Sequence, residues 1–171
     1  MKIEKTLLED CLLVTLDHHN DNRGVFFELY QLSRYENLVP QFNLKQINCS
    51  YSIANTVRGM HLAPYAKIVT CLSGRVFDVV IDMRKQSSTY LNWYGVELSQ
   101  NNGKQLIVPA NFAHGFMALE EHNAVAYSQN AIFQPGIEKT IHWREPKVNI
   151  NWPIRSAYVL SEKDKIAKFL D

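Results

Sequence analysis

Short runs of alternating apolar and polar residues, rich in β-branched side chains and separated by turn signals, most limit the folds open to this chain. A period of two is typical of β-strands with one buried face. The runs Lys67–Leu72 and Arg75–Ile81 show it most clearly, and Ser73-Gly74 between them predicts a tight hairpin. Further strands are predicted at residues 25–29, 42–51, 90–98, 105–108 and 124–128.

Patterns typical of helices are scarce. Short helices are predicted over residues 31–38 and 161–170. No internal repeat, low-complexity tract or linker divides the chain, so residues 1–171 are predicted to form one domain. Many short strands with few helices indicate an all-β fold, a compact antiparallel barrel or jelly roll with short peripheral helices.

Charge and cysteine content exclude several classes of protein. Eighteen basic residues nearly balance seventeen acidic ones, so no overall field favours nucleic acid or an anionic membrane. The first residues lack the long apolar stretch of a signal peptide, and no later apolar run is long enough for a membrane helix, so neither is expected. Three cysteines without a Cys-x-x-Cys pair indicate neither a disulfide scaffold nor a zinc finger. We therefore expect a cytoplasmic protein.

Two segments concentrate the residues that can do chemistry. Arg58-Gly59-Met60-His61 is followed by Lys67, and the later segment 109–116 (PANFAHGF) carries His114. An arginine beside a glycine can bind a phosphate closely, and a histidine supplies a base near neutral pH. A lysine ammonium beside a ketone favours the negative charge of an enolate. The set indicates an anionic ligand and proton transfer next to a carbonyl group.

A metal site is the first alternative, because histidines in small β-barrels often bind metal ions. Such a site needs three or four converging ligands. Leu62 and Ala63 follow His61, so there is no His-x-His pair, and the nearby Lys67 would repel a cation. We therefore predict no metal and no other cofactor.

Taken together, the motifs resemble the dTDP-4-dehydrorhamnose 3,5-epimerases, metal-free cupins of nucleotide-sugar biosynthesis. The resemblance covers nearly the whole chain and depends on the order of its motifs, each of which is weak alone. The matching segments are 22–28 (NRGVFFE), 46–52 (QINCSYS), 57–61 (VRGMH), 67–69 (KIV), 74–84 (GRVFDVVIDMR), 108–116 (VPANFAHGF), Tyr127, 150–153 (INWP) and 160–164 (LSEKD).

The resemblance implies a cupin-type jelly-roll barrel and an epimerase that inverts C3 and C5 of a nucleotide-linked 4-keto sugar. His61 matches the general base, and Asp164 matches the carboxylate paired with it. The residues 161–164 alone would favour a helix cap for Asp164. Tyr127 matches the acid that returns the proton to the opposite face. Lys67 and His114 match residues around the ketone oxygen and the sugar.

The resemblance also implies a substrate-binding set and a homodimer. Residues that hold the phosphates and sugar are matched by Arg23, Gln46, Asn48 and Arg58. Phe26 and Glu28 match residues near the nucleotide base. Members of the family form homodimers in which N-terminal strands reach the neighbouring subunit, so Phe26 or Glu28 is expected to serve the partner's site.

Several departures from the family pattern fall around the expected sugar pocket and concern which sugar is bound and which carbons are inverted. Leu62 and Ala63 replace an aromatic residue and a glutamine, Tyr65 replaces a glutamine, and Phe133 stands where a second tyrosine is frequent. The lost hydroxyl at Phe133 leaves open whether C3 alone is inverted. Small residues at 62–63 suggest room for a longer sugar, as in relatives that act on GDP-linked 4-keto-heptoses. Arg144-Glu145-Pro146 replaces a usual Asp-Pro without a functional explanation.

Three other functions compete with epimerisation. A 3,4-ketoisomerase on the same scaffold usually carries a second histidine soon after the motif histidine, where this chain has Leu62-Ala63. A non-enzymatic cupin that binds a sugar nucleotide would keep Arg23 and Arg58 but has no need for His61, Tyr127 and Asp164 together. A metal-dependent oxygenase is the last alternative.

Overall fold

Two antiparallel β-sheets lie face to face in the computed structural model, which describes residues 1–39, 42–153 and 158–171. Within that part of the chain, six strands form the first sheet, in the order β1-β2-β10-β7-β12-β5. Their bounds are β1 Lys2–Lys5, β2 Leu12–Thr15, β5 Gln46–Ser52, β7 Lys67–Ser73, β10 Lys104–Val108 and β12 Asn123–Gln129.

Five strands form the second sheet in the described residues, in the order β13-β6-β11-β8-β9. They are β6 Val57–Ala63, β8 Arg75–Asp82, β9 Trp93–Ser99, β11 Phe112–Ala118 and β13 Lys139–Thr140. A separate hairpin pairs β3 (His19–Asp21) with β4 (Gly24–Phe26). The helices are single turns, α1 at Leu32–Tyr35 and α2 at Glu162–Lys165. The all-β prediction with short peripheral helices is confirmed.

The buried apolar residues that the structure describes form three clusters. One cluster lies between the sheets and takes residues from both, such as Val69, Leu106 and Phe116. A second covers the outer face of β6, β11 and β8 with residues from the C-terminal third, including Trp143 and Trp152. A third covers β2, β7 and β10 with Tyr35 and Phe42. Because both faces of β11 are covered, all seven of its residues are buried.

The predicted hairpin at Ser73-Gly74 is wrong. β7 pairs with β10 and β12 in the first sheet, whereas β8 pairs with β11 and β9 in the second. Gly74 has φ of +72°, and a Cβ there would lie 2.3 Å from the carbonyl oxygen of His122. The glycine therefore marks a sharp corner where the chain crosses between sheets. Alternation of apolar and polar residues does not distinguish this corner from a hairpin.

Most other predicted elements are shorter than expected. Strand β9 begins at Trp93 rather than Tyr90, because Leu91 adopts a left-handed φ of +63°. Strand β5 begins at Gln46, since Phe42 packs in a loop beneath the first sheet. The C-terminal helix stops at Lys165, because Lys168 bridges to Ile141 instead of continuing the helix. Similarly, the strand predicted at 25–29 is only β4, and the helix predicted at 31–38 is only α1.

A buried carboxylate fixes the turn between β8 and β9. Asp82 is fully buried and accepts hydrogen bonds from Arg84, from Ser87 at 2.6 Å and from Thr89 at 2.7 Å. Burial alone would raise the pKa of Asp82, but these donors hold the pKa well below its usual range.

No helix among the described residues is long and apolar enough to cross a membrane.

We expect Asp82→Asn to lower the free energy of unfolding at pH 7 by roughly 1–3 kcal/mol, because an amide cannot satisfy the same donors. The folded-state pKa lies below the unfolded one, so the ionised carboxyl stabilises the fold fully above pH of about 4 and progressively less below it. The difference between variant and parent should therefore shrink at acid pH. Urea denaturation at pH 7 and pH 3 measures this. Asp10→Asn, which alters the exposed partner of Arg84, is the control; an equal loss in both variants would contradict the assignment.

Candidate active site

A cavity of about 620 Å³ opens between the two sheets at one end of the barrel. Strands β5, β7 and β12 of the first sheet form one wall, and β6 and β11 of the second sheet form the opposite wall. The C-terminal segment, defined here as residues 158–171, closes a side of the cavity with Val159, Leu160, Ser161, Lys163 and Asp164. His61 therefore lies on the wall opposite Tyr127 and Lys67.

The two histidines of the cavity lie on neighbouring strands. His61 of β6 is the cross-strand partner of His114 of β11, just before a shift in the register of the two strands. At the shift, a Cβ on Gly59 would lie 2.6 Å from the Cα of Gly115. Glycine at both positions allows the two backbones to approach this closely. These glycines interrupt the strand pattern, which explains why residues 57–63 and 112–118 were not predicted as strands.

His61 is bonded to a buried carboxylate. Its Nε2 lies 2.9 Å from Oδ1 of Asp164, whose side chain is 4% exposed. Burial alone would raise the pKa of Asp164, but the bonds with His61, Ser161 and Gly59 hold the pKa below its usual range. Asp164 also donates its backbone N–H to Ser161 Oγ at 3.1 Å. The helix cap and the histidine pair are thus compatible, because the cap uses the backbone of Asp164 and the pair uses its side chain.

Tyr127 enters the cavity from β12. Its hydroxyl lies 2.9 Å from Ser50 Oγ of the neighbouring β5, and its ring meets the His114 ring edge-on at 6.0 Å between centroids. Burial raises the pKa of Tyr127 well above its usual value, so the phenol stays protonated at neutral pH. The sequence did not single out Ser50, whose place beside Tyr127 follows only from the pairing of β12 with the edge strand β5.

Lys67 is buried at the cavity and paired with Glu138, which the sequence did not single out. Its Nζ lies 3.0 Å from Glu138 Oε1, and the Tyr65 hydroxyl donates to the same oxygen. Burial would raise the pKa of Glu138, but the bond from Tyr65 and the charge of Lys67 lower it. Burial and Glu138 together raise the pKa of Tyr65. Glu138 lies in an irregular stretch before β13, so no local pattern could identify it.

His114 is paired with a second carboxylate that the sequence did not single out. Its Nε2 lies 2.9 Å from Oδ2 of Asp78, which is fully buried in β8. Burial raises the pKa of Asp78, while His114 and Lys67 oppose the rise. A carboxylate in the apolar run 75–81 requires a buried partner, and this signal was available in the sequence.

Polar side chains surround the mouth of the cavity. Arg58 donates to Ser52 Oγ and to the carbonyl of Tyr51, each at 3.0 Å, and Lys163 of the C-terminal segment adds a second cation. Asn48 lines the cavity and accepts a hydrogen bond from Gln46 at 2.8 Å. This region can accept an anionic group such as a diphosphate.

Four of the predicted binding residues, described below, do not line the cavity of this single chain. Arg23 is 86% exposed and pairs with Asp21, while Phe26 in the β3–β4 hairpin is 72% exposed. Glu28 pairs with Arg34 at 3.5 Å and, with Phe26, borders a separate small depression. Gln46 lies beside the cavity rather than on its lining, where its side-chain oxygen accepts the backbone N–H of Phe133.

The steric argument for a longer sugar is wrong. Among the described residues that line the cavity, neither Leu62 nor Ala63 occurs. Leu62 packs against the apolar cluster on the outer face of the second sheet, and Ala63 is buried. Tyr65 and Phe133, two other departures from the family pattern named above, do line the cavity.

The candidate site combines a paired histidine, a protonated phenol and cations on facing walls. In the described ranges, no three histidine, cysteine or carboxylate side chains are grouped so that they could hold a metal ion. Such an arrangement can remove a proton from one side of a bound molecule and supply a proton to its other side. It can also stabilise the negative charge that develops on the molecule between these two steps.

The chain is similar to known proteins over nearly its whole length. The family model of dTDP-4-dehydrorhamnose 3,5-epimerase matches residues 5–171. The dTDP-4-dehydrorhamnose 3,5-epimerase of Salmonella typhimurium is 38% identical over 100% of this chain and 96% of its own length. That of Sinorhizobium fredii is 40% identical over 96% of this chain and 87% of its own length.

A solved structure extends the likeness to three dimensions. The dTDP-6-deoxy-D-glucose-3,5-epimerase of Legionella pneumophila, in complex with dTDP-4-keto-L-rhamnose, superposes with a TM-score of 0.94. It is 35% identical, and the match covers 98% of this chain and 92% of that one. The cupin-type jelly roll is confirmed, and the chain belongs to the dTDP-4-dehydrorhamnose 3,5-epimerase family of isomerases.

Proposed function

We propose that this chain inverts C3 and C5 of dTDP-4-keto-6-deoxyglucose, without metal or other cofactor, in deoxysugar biosynthesis. The observation that carries the proposal is the placement of His61, bonded to Asp164, opposite Tyr127 across one cavity. The relatives named above act on or bind dTDP-linked 4-keto sugars, which favours dTDP over GDP. Free thiols at all three cysteines agree with a cytoplasmic location.

The first step is removal of the proton beside the ketone by His61. When Nε2–H donates to Asp164, the other ring nitrogen, Nδ1, is unprotonated and can accept a proton. The buried carboxylate holds the ring in this tautomer and stabilises the imidazolium that forms. A sugar bound between the walls then places the carbon next to its carbonyl against His61.

The enolate that results needs positive charge near its oxygen. Lys67 keeps two N–H donors beyond the one that binds Glu138, and His114 is fixed by Asp78 on the opposite wall. Both side chains are buried, so their interactions with developing charge are stronger than in water. Because these groups are held in place by carboxylates before the substrate binds, little rearrangement is required during the reaction.

The second step is return of a proton to the opposite face by Tyr127. Its phenol remains protonated at neutral pH, and it reaches the cavity from the first sheet. Delivery from the face opposite to His61 inverts the carbon. The same pair can act at C3 and C5, since both carbons flank the C4 ketone. Inversion of C3 alone is the alternative, because Phe133 has no hydroxyl in the cavity.

The proposed function is tested in D₂O with dTDP-4-keto-6-deoxyglucose and a panel of GDP-linked 4-keto sugars. We expect deuterium at C3 and C5 of the dTDP substrate, observed by NMR, with the carbonyl remaining at C4. His61→Asn should lower turnover by roughly 10²–10⁴-fold while leaving dTDP affinity unchanged. His122→Asn, at an exposed position, is the matched control. A product with a moved carbonyl would identify a ketoisomerase, and retention of every ring proton would indicate a binding module.

Tyr127→Phe separates the two proton transfers. His61 and Asp164 are unchanged, so proton abstraction continues and solvent deuterium should still enter the substrate. Without the phenol hydroxyl, inverted product should fall by roughly 10²-fold or more. NMR distinguishes labelled substrate from labelled epimer. Ser50→Ala, which removes only the partner of the hydroxyl, should retain most inversion. Equal rates of inversion in Tyr127→Phe and the parent would assign the acid to another group.

We further propose a homodimer in which Arg23, Phe26 and Glu28 complete the partner's site. The support is that Arg23 and Phe26 are exposed on the β3–β4 hairpin, and that neither they nor Glu28 line the cavity of their own chain. The partner then supplies an aromatic face for the nucleotide base and a cation for its phosphates.

Mixing inactive variants tests the exchange. In a mixed dimer of His61→Asn and Arg23→Ala chains, one site carries both changes and the other carries neither. Random reassociation should therefore restore about a quarter of the parental turnover. Unmixed variants provide the baseline. If Arg23 serves its own chain, mixing will add no activity above the sum of the two variants.

A further inference from the structure

The C-terminal segment delivers Asp164 to the candidate site although it has little regular structure. Helix α2 within it is a single turn, and so short a helix has no appreciable stability of its own. The position of Asp164 therefore depends on how the segment is attached on either side. Before α2, the backbone of Val159 bonds to Asn55 and Val57 at 3.0 and 2.9 Å.

After α2, the segment runs along the chain that follows β13. Lys168 forms a parallel bridge with Ile141, and its carbonyl accepts the N–H of His142 at 3.0 Å. The ring of Phe169 lies 4.4 Å from the ring of His142. Ile141 exchanges backbone hydrogen bonds with Met60, the residue next to His61. The end of the segment is thus tied to the strand that carries the histidine.

Glu145 stabilises this attachment from a buried position through two hydrogen bonds. Its carboxylate accepts the backbone N–H of Leu170 at 2.6 Å through Oε2 and that of Lys147 at 2.9 Å through Oε1. The residue is 1% exposed. A buried carboxylate is costly unless hydrogen bonds satisfy it, so these donors and the carboxylate hold each other in place. The bond to Leu170 is the link that joins Glu145 to the C-terminal segment.

We propose that Glu145 is a positioning residue for the reaction: by fixing Leu170, it holds the C-terminal segment so that Asp164 stays bonded to His61. The proposal rests on the proposed function for its kinetic readout. It also gives a role to the Arg144-Glu145-Pro146 sequence, which had no functional explanation. Glu145 itself does not line the cavity described above, so it acts only through Asp164.

Two kinds of variant test this. Glu145→Gln keeps the size of the side chain but weakens both bonds, and Glu162→Gln, at an exposed site in α2, is its matched control. Leu170→Pro removes the N–H that Glu145 accepts, whereas Leu170→Ala removes side-chain packing and keeps the N–H. The second pair remains informative if Glu145→Gln fails to fold.

We expect Glu145→Gln and Leu170→Pro to lower kcat by about 10- to 100-fold with little change in KM, because Asp164 is displaced while the binding residues stay. The imidazole N–H signal of His61 in proton NMR should broaden in both variants. It should be unchanged in Glu162→Gln and Leu170→Ala. In an Asp164→Asn background, Glu145→Gln should produce little further loss of kcat.

Two results would overturn the proposal. One is a parental kcat together with an intact imidazole signal in Glu145→Gln, or in Leu170→Pro if the former does not fold. The other is a full additional loss of kcat in the Asp164→Asn background, which would show that Glu145 affects kcat independently of Asp164. If the parent protein and Glu162→Gln do not turn over the substrate, the proposed function fails, and the NMR comparison still decides the positioning role.

Discussion

The hydrogen bond between His61 and Asp164 connects parts of the chain 103 positions apart, and the candidate site depends on it. It joins the second sheet to the C-terminal segment, so one contact both closes a side of the cavity and gives His61 a carboxylate partner. The bond is stabilised because Asp164 is shielded from water and its carboxylate is hydrogen-bonded by neighbouring groups. An exposed pair of the same residues would hold the imidazole less firmly, since water would compete for the carboxylate.

Pairing of buried charge recurs around the cavity. Asp78 holds His114, and Glu138 holds Lys67. Each pair costs solvation energy when it is buried, and each remains ordered because the partner is supplied by a neighbouring strand or loop. The core between the sheets continues directly beneath these pairs, with Phe116 packing against Tyr127. The apolar packing and the polar site are therefore built on the same strands, and stability and chemistry share one scaffold.

Local patterns in the sequence reached the class of fold but not its connections. Period-two runs identified β7, β8, β9, β10 and β12, because alternation reflects burial of one face and needs no knowledge of the partner strand. Alternation could not show that β7 and β8 belong to different sheets. Alternation also failed to predict β6 and β11. In these strands Gly59 and Gly115 interrupt the alternating pattern, because only glycine allows the two backbones to approach so closely.

By itself, the sequence determined which side chains can act as base, acid, cation and phosphate ligand, because those properties belong to the residue types His61, Tyr127, Lys67 and Arg58. Motif order was also enough to indicate the family. Only the tertiary structure decided which groups face each other, since partners such as Glu138 and Asp78 are brought to the cavity by strand order and loop path. The physical reason is that a pKa, a tautomer or a wall of a cavity is a property of neighbours in space, and sheet pairing selects those neighbours from distant parts of the chain.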